Sequence, residues 1–261
     1  MNYLRLIRVF FRVNVAGELA YRINFFINLF QSILGLGTAL AGLAIIFSFT
    51  DSLGGWRPNE ILALVAVYVL IGGIIRFAIQ SGMEQLIQSV RDGTFDFTLT
   101  KPEDAQLLTS IGRIGVWEIL NIGLGFMLLV IAMVQIGGRI GGLQAIEFLA
   151  MLLTGSVIIY SFFLILTTLA FWLVRVENIL TIFQSMYEAG RWPITLYPGW
   201  LRYGLTFVIP VAFATTIPVE ALTSRLNWQT LVLAFILAIV SFVASRAFWK
   251  LGLRHYSGTS A

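Results

Sequence analysis

Apolar residues fill this chain in long blocks without the alternation of a half-buried strand, and short polar or glycine-rich clusters separate the blocks. Such blocks suit membrane-crossing helices, which need about 20 apolar residues. Inside hydrocarbon the backbone must satisfy its own hydrogen bonds, so only helices or closed barrels cross, and sustained Leu, Ile, Val and Phe without a period of two selects helices. The first block predicts a span from Tyr21 to Phe49, closed by the turn Asp51-Ser52-Leu53-Gly54-Gly55. The second predicts a span from Glu60 to Met83. A polar segment from Leu86 to Ala105 follows, then a third span from Gln106 to Gln135, the glycine-rich turn Gly137 to Gly142, and a fourth span from Gly142 to Leu173 with Arg175 and Glu177 behind it.

The last third is less regular. A fifth span starts near Asn178 and leaves the bilayer at Pro193 and Pro198. The next apolar run, Gly204 to Val219, is short and holds Pro210 and Pro218, so residues 198–222 read as a re-entrant or interfacial helical hairpin. A final span runs from Leu231 to Phe248. Its end carries Arg246, Lys250 and Arg254, and a crossing at Gly204 to Val219 would place these on the outer side, against the positive-inside bias. Six spans in one transmembrane domain over residues 1–261, with both termini cytoplasmic, is the consistent count, and the fold class is all-α. Ahead of the first span, residues 1–16 predict an amphipathic helix lying in the membrane surface, with Arg5, Arg8 and Arg12 on one face and Leu6, Ile7, Phe10 and Phe11 on the other.

Composition agrees. At 58% hydrophobic and 11% charged, the chain departs from soluble proteins, in which about a quarter of residues are charged. The net charge of +4 reflects arginines at span edges and reports orientation, with no nucleic-acid role. Cysteine is absent, which removes disulfides and thiolate metal sites. The lone His255 stands in a basic tail and suggests no catalysis. No phosphate-binding loop, nucleophile elbow or H-E-x-x-H helix occurs, and the start lacks a cleavable signal pattern. No catalytic residue, metal or cofactor is expected in this chain.

Charges at membrane depth are the candidates for function, because an unpaired one costs a few kcal/mol there. Arg76 and Glu118 lie at comparable distances before and after the polar segment, so they can pair, either as a staple between two helices or along a solute path. Glu188 lies one turn before Arg191, which suggests a local pair. Alternatively its carboxylate attracts a cationic solute, with Tyr187, Trp192 and Tyr197 as stacking rings or as an interfacial belt.

Within the polar segment, Arg91-Asp92-Gly93 ends a helix, Phe95 and Phe97 offer apolar anchors, and Lys101-Pro102-Glu103-Asp104 starts the next helix with acids in its first turn. A structured, charged loop between two spans is a natural docking site for a soluble partner. The wording RDGTFDFTLTKP, together with YPGWLRYGLTFVIPVAFATTIP (Tyr197 to Pro218) and GLRHYSG (Gly252 to Gly258), resembles ABC-2 type exporter permeases, in which a G-x-F/L-D-x-x-L-x-K/R-P signature marks the cytoplasmic loop between the second and third spans. The resemblance implies a half-size permease of the inner or plasma membrane. It implies that a second permease chain, identical or related, encloses a path with it, and that two ATPase subunits carry the ATP and Mg. The residues it assigns to ATPase coupling are Arg91, Asp92, Gly93, Phe95, Asp96, Lys101, Pro102 and Glu103. It points to export of a hydrophobic or amphipathic solute, organic cations and drugs among them. An ion-gradient-driven secondary transporter and a lipid-modifying enzyme remain alternatives, the first disfavoured by the lack of an internal repeat and the second by the lack of a convergent catalytic set.

Overall fold

The structure, a computed structural model, describes residues 11–13, 15, 22–137, 140–173 and 177–256. Among these, five helices are long and apolar enough to cross a membrane: Phe25–Phe49, Pro58–Arg91, Val116–Ile136, Gly142–Phe171 and Trp228–His255. The described residues form no strand ladder. Of the expected surface helix, Arg5, Arg8 and Phe10 lie outside the described residues, while Phe11 and Arg12 are helical and exposed. Arg175, two residues of the Gly137–Gly142 turn and the end of the GLRHYSG stretch also lie outside them.

Helix α1 (Arg22–Phe49) touches the rest of the bundle lightly; among its described side chains only Leu43 is buried. The core forms where α2 (Pro58–Ile74) packs along α6 (Ile119–Ile136), and where α7 (Gly142–Thr168) packs against α12 (Trp228–His255). The first contact is close because Gly125 has no side chain: a Cβ there would meet the Leu70 backbone nitrogen at 2.5 Å. Pro58 opens α2 at a position where its missing N–H costs nothing, and the Glu60 carboxylate accepts from the Arg57 N–H (2.8 Å).

The second span extends further than the hydropathy predicts. Past Ile74 it widens into a π-helical turn (Ile75–Gln80) and continues as α3 (Ser81–Arg91). Hydropathy alone ends the span near Met83 because α3 is amphipathic, with Met83, Leu86 and Ile87 buried and Glu84, Gln88 and Arg91 exposed. The loop proper is therefore residues 92–104, not 86–105, and it contains the short helix α4 (Asp96–Leu99). The third span is also broken. Gln106 belongs to a separate helix, α5 (Ala105–Gly112), which is followed by extended Arg113, a 3₁₀ turn (Val116–Glu118) and then α6.

The expected fifth span is in pieces and is not among the five long apolar helices. Helix α8 (Glu177–Tyr187) and the 3₁₀ turn Glu188–Arg191 are too short to cross as a single helix, reaching about 22 Å. Their neighbours nonetheless run the length of the second span: Leu180 and Thr181 lie by Ile87 and Arg91, Tyr187 by Tyr68 and Gly72, and Thr195 by Trp56. The hairpin follows, as α9 (Gly199–Tyr203) with a π turn to Val208, then α10 (Val211–Ala214) and α11 (Thr216–Leu222), and its two limbs are bent by 71°. Pro210 sits at the bend. Pro218 does not break the chain, because it falls in the first turn of α11, where no N–H bond is lost. The hairpin seats on α7 at Gly155, where a Cβ would meet the Phe213 carbonyl oxygen at 2.1 Å.

The bundle thus has two ends. The hairpin end gathers residues 50–57, 140–141 and 192–227. The loop end gathers residues 92–104 and the last turns of α12.

Candidate functional site

At the loop end, residues 92–104 are clamped from both sides. Gly93 takes a left-handed φ of +69°, which lets Thr94 and Phe95 donate their N–H groups to the Ser89 carbonyl (2.9 and 3.1 Å) and closes α3. Phe95 then turns inward. It is 1% exposed and packs on Phe171, Trp249 and Tyr256 at centroid distances of 5.5, 6.3 and 5.4 Å. At the other side Asp104 caps α5, accepting from Gln106 N (2.9 Å) and Leu107 N (3.3 Å). Both of its carboxylate oxygens also receive the Arg246 guanidinium of α12. Arg246 and the two backbone donors hold the Asp104 carboxyl below its ordinary value of 3.8.

Between the clamps, Phe97 is 72% exposed, and Asp92, Lys101 and Pro102 are also exposed, while Gly93, Asp96 and Glu103 are half-buried. The two phenylalanines that look equivalent in sequence therefore differ: Phe95 fixes the loop to its own chain, and Phe97 faces away from it. Arg91 is exposed at the end of α3, 3.4 Å from Asp92.

Toward mid-bundle, both helices that carry the loop become irregular at the same level. The π turn frees carbonyls that others then use: Ser81 Oγ donates to Arg76 O (2.9 Å), and Gly115 N, from the break after α5, donates to Phe77 O (3.1 Å). Here Arg76 and Glu118 pair at 2.9 Å, and Asn121 donates to the same Glu118 oxygen at 2.7 Å. The pairing anticipated from their spacing is present.

Beside this pair a furrow runs along the α2/α3 and α8 faces. Near the loop end it is a cavity of about 410 Å³ lined by Glu84, Gln88, Arg91, Thr181 and Gln184. Gln184 leads into a second, of about 240 Å³, with Gln80, Arg76, Tyr187 and Glu188. Tyr68, Gly72, Arg76 and Tyr187 are shared with a third, of about 160 Å³, which reaches Asn121, Arg191 and Ser32 of α1. Gln80 donates to Glu84 at 2.6 Å. Glu84, Gln184 and Glu188 are exposed in the single chain, and Glu84 belongs to the long helix Pro58–Arg91, one of the five that are long and apolar enough to cross. Polar groups at such depth need water or protein beside them rather than lipid.

Several expectations change here. Glu188 and Arg191 form no ion pair; Arg191 instead lies over the Tyr68 ring, 5.4 Å from its centroid. Arg191 is the last residue of the 3₁₀ turn Glu188–Arg191, and the chain leaves it through extended Trp192. Tyr187 is buried, stacked on Tyr68 at 5.0 Å, with its hydroxyl donating to Tyr68 O at 2.9 Å. Its ring faces are therefore occupied from within, and Tyr197 donates to Ala189 O. Trp192 is half-buried against the core and lines none of the three furrow cavities. Arg76, Glu188 and Tyr187 do converge, with Glu118 behind Arg76.

The residues that sequence reasoning missed are Gln80, Glu84, Gln88, Thr181 and Gln184. Gln80, Glu84, Gln88 and Arg91 recur at helical spacing on one face, as do Thr181, Gln184, Glu188 and Arg191. That stripe was visible, but uncharged glutamines do not stand out as single charges do.

A family model described as ABC-2 family transporter protein matches residues 33–260. No curated protein and no solved structure gives a significant match.

Proposed function

Because the chain belongs to the ABC-2 transporter family, the membrane component of an ABC transporter that associates with ABC ATPase subunits and is not itself the ATPase, we propose that it is one permease half of an exporter. A second permease chain, identical or related, covers the furrow and completes a path between the two. The solute is hydrophobic or amphipathic, and Glu84 and Glu188 are the carboxylates that a cationic one would meet. ATP and Mg are bound by the ATPase subunits. The loop end faces the cytoplasm and the hairpin end faces outward, with the membrane being the inner or plasma membrane.

One observation carries this reading: the loop is locked to the bundle and joined by two short helices to irregular turns beside the furrow. Phe95 and the Asp104–Arg246 pair stop residues 92–104 from moving alone. Helices α3 and α5 pack tightly, since a Cβ on Gly82 would meet the Thr109 carbonyl at 2.5 Å. Force applied at Phe97 therefore passes as a rigid unit to residues 75–80 and 113–118, where the helices yield, and the Arg76–Glu118 level shifts relative to α8. The furrow then opens to one side or the other as the ATPases close and separate. The lightly packed α1 and the exposed polar groups of the furrow support a partner chain on that face.

The test is transport of a fluorescent amphipathic cation by the assembled permease and ATPase complex in vesicles. Export that depends on ATP and is lost in Phe97→Asp, with the permease still folded, is expected. ATP-independent movement driven by an imposed ion gradient would refute the proposal.

A further inference from the structure

Away from the furrow, the hairpin end holds a cavity of about 410 Å³ between α9–α11 and the first turns of α12, with no lining residue in common with the furrow. Its size falls in the range of small-molecule sites. Its lining combines two opposite charges, Arg202 and Glu220, with Thr206 and Thr230 and the apolar Phe207 and Phe213. The two charges lie within electrostatic range, but no ion pair closes between them. Arg225, also near Glu220, is bonded instead to Glu60 (2.6 Å) and to the Gly55 carbonyl (2.7 Å) and lies over the Trp56 ring. Glu220 is thus a half-buried carboxylate lining a cavity that an exposed guanidinium, Arg202, also lines.

A second observation sets the depth of this cavity. Tyr203 lines it, Trp200 follows the lining Gly199 and Trp228 lies two residues before the lining Thr230, and the three are 69%, 76% and 73% exposed, as in an aromatic belt at a membrane–water boundary. Below the mouth, α12 presents Ile236, Ile239 and Val240, all exposed and apolar. A ligand seated here has its polar part at headgroup level and room for chains along α12.

We propose that this cavity binds the headgroup of a zwitterionic phospholipid of the phosphatidylethanolamine type, with its ammonium on Glu220, its phosphate on Arg202 and its acyl chains on the α12 face. A primary ammonium donates hydrogen bonds to the carboxylate, which a trimethylated one lacks. An anionic glycerol headgroup would face Glu220 without a compensating cation. The ligand fills the gap that keeps the two side chains apart and ties the hairpin to the last span.

The experiment is native mass spectrometry of the full chain released from detergent after equilibration with phosphatidylethanolamine, phosphatidylcholine or phosphatidylglycerol. Thermal unfolding serves as the control for folding. At least fivefold more phosphatidylethanolamine than phosphatidylglycerol should be retained, and Glu220→Gln and Arg202→Gln should each lower that retention about fivefold. Leu233→Trp, which fills the cavity from α12 without touching either charge, should block retention as well. Equal retention of all three lipids, or retention unchanged in folded Glu220→Gln and Leu233→Trp, would overturn the site. Binding of soluble glycerophosphoethanolamine without binding of the lipid would overturn its assignment to lipid. Because the readout is binding, it is independent of transport and of any ATPase.

Discussion

Arg76 and Glu118 pair at 2.9 Å, and each occupies the irregular turn of its own span, Arg76 in the π turn and Glu118 in the 3₁₀ turn before α6. The pair therefore joins the two helices that carry the exposed loop at the level where both can bend, and it borders the furrow. On the proposed function, staple and path are the same place in this protein.

Glu118→Gln keeps a hydrogen-bonding oxygen for Asn121 but removes the charge opposite Arg76. Transport should fall at least tenfold, while the thermal midpoint in detergent moves little because the Arg76 side chain is partly exposed and lines the furrow. Loss of folding in parallel with transport would reduce the pair to a staple.

Phe95 and Phe97 should separate stability from docking. Phe95→Ala opens a hole among Phe171, Trp249 and Tyr256 and should cost about 3–5 kcal/mol, read by chemical or thermal unfolding. Phe97→Ala removes an exposed ring and should change stability by less than about 0.5 kcal/mol, yet it should reduce the ATPase recovered with the permease.

The Asp104 clamp predicts a defined acid response. Its carboxyl is held below its ordinary value of 3.8 in the folded chain, so its stabilisation is complete above that value and fades as pH falls through the lower folded one. Asp104→Asn should therefore be less stable than the parent by a constant amount from pH 8 to about pH 5. The difference should shrink below about pH 4, as unfolding midpoints across pH will register.

The furrow is open to thiol mapping because the chain has no cysteine. Gln184→Cys and Glu188→Cys should react with a membrane-impermeant charged maleimide in the working complex. Ile236→Cys, on the exposed apolar face of α12, should not. Equal reactivity at all three positions would remove the distinction between a wet furrow and a lipid face.

Much of this was readable from the residues. Span limits at Phe49 and Gly142 follow from hydropathy, and the Arg76–Glu118 pair follows from the cost of isolated charge. The close of α3 at Gly93 follows from a local preference, whereas residues 101–104, expected to start the next helix, precede it, with Asp104 as its cap and no acid in its first turn. Other features depend on tertiary contact and leave no local trace. Which of Phe95 and Phe97 turns inward is decided by Phe171 and Trp249, far along the chain. The break after α5 is held by the Gly115 N–H on Phe77 O, and the segment from Glu177 to Leu196 is held along the second span by Tyr68 and Trp56 rather than by its own helical length. Arg191 leaves Glu188 for a ring that no spacing rule would pair with it.

On the proposed function, residues 92–104 are gripped by the ATPase and the hairpin end is not. A single cysteine at Phe97, and separately one at Ser52 in the turn at the opposite end, can be joined to the ATPase by a short bifunctional thiol reagent in membranes that hold the transport-competent complex. A permease–ATPase adduct is expected from Phe97→Cys and none from Ser52→Cys. An adduct from Ser52→Cys, or none from Phe97→Cys in a complex that still transports, would contradict it.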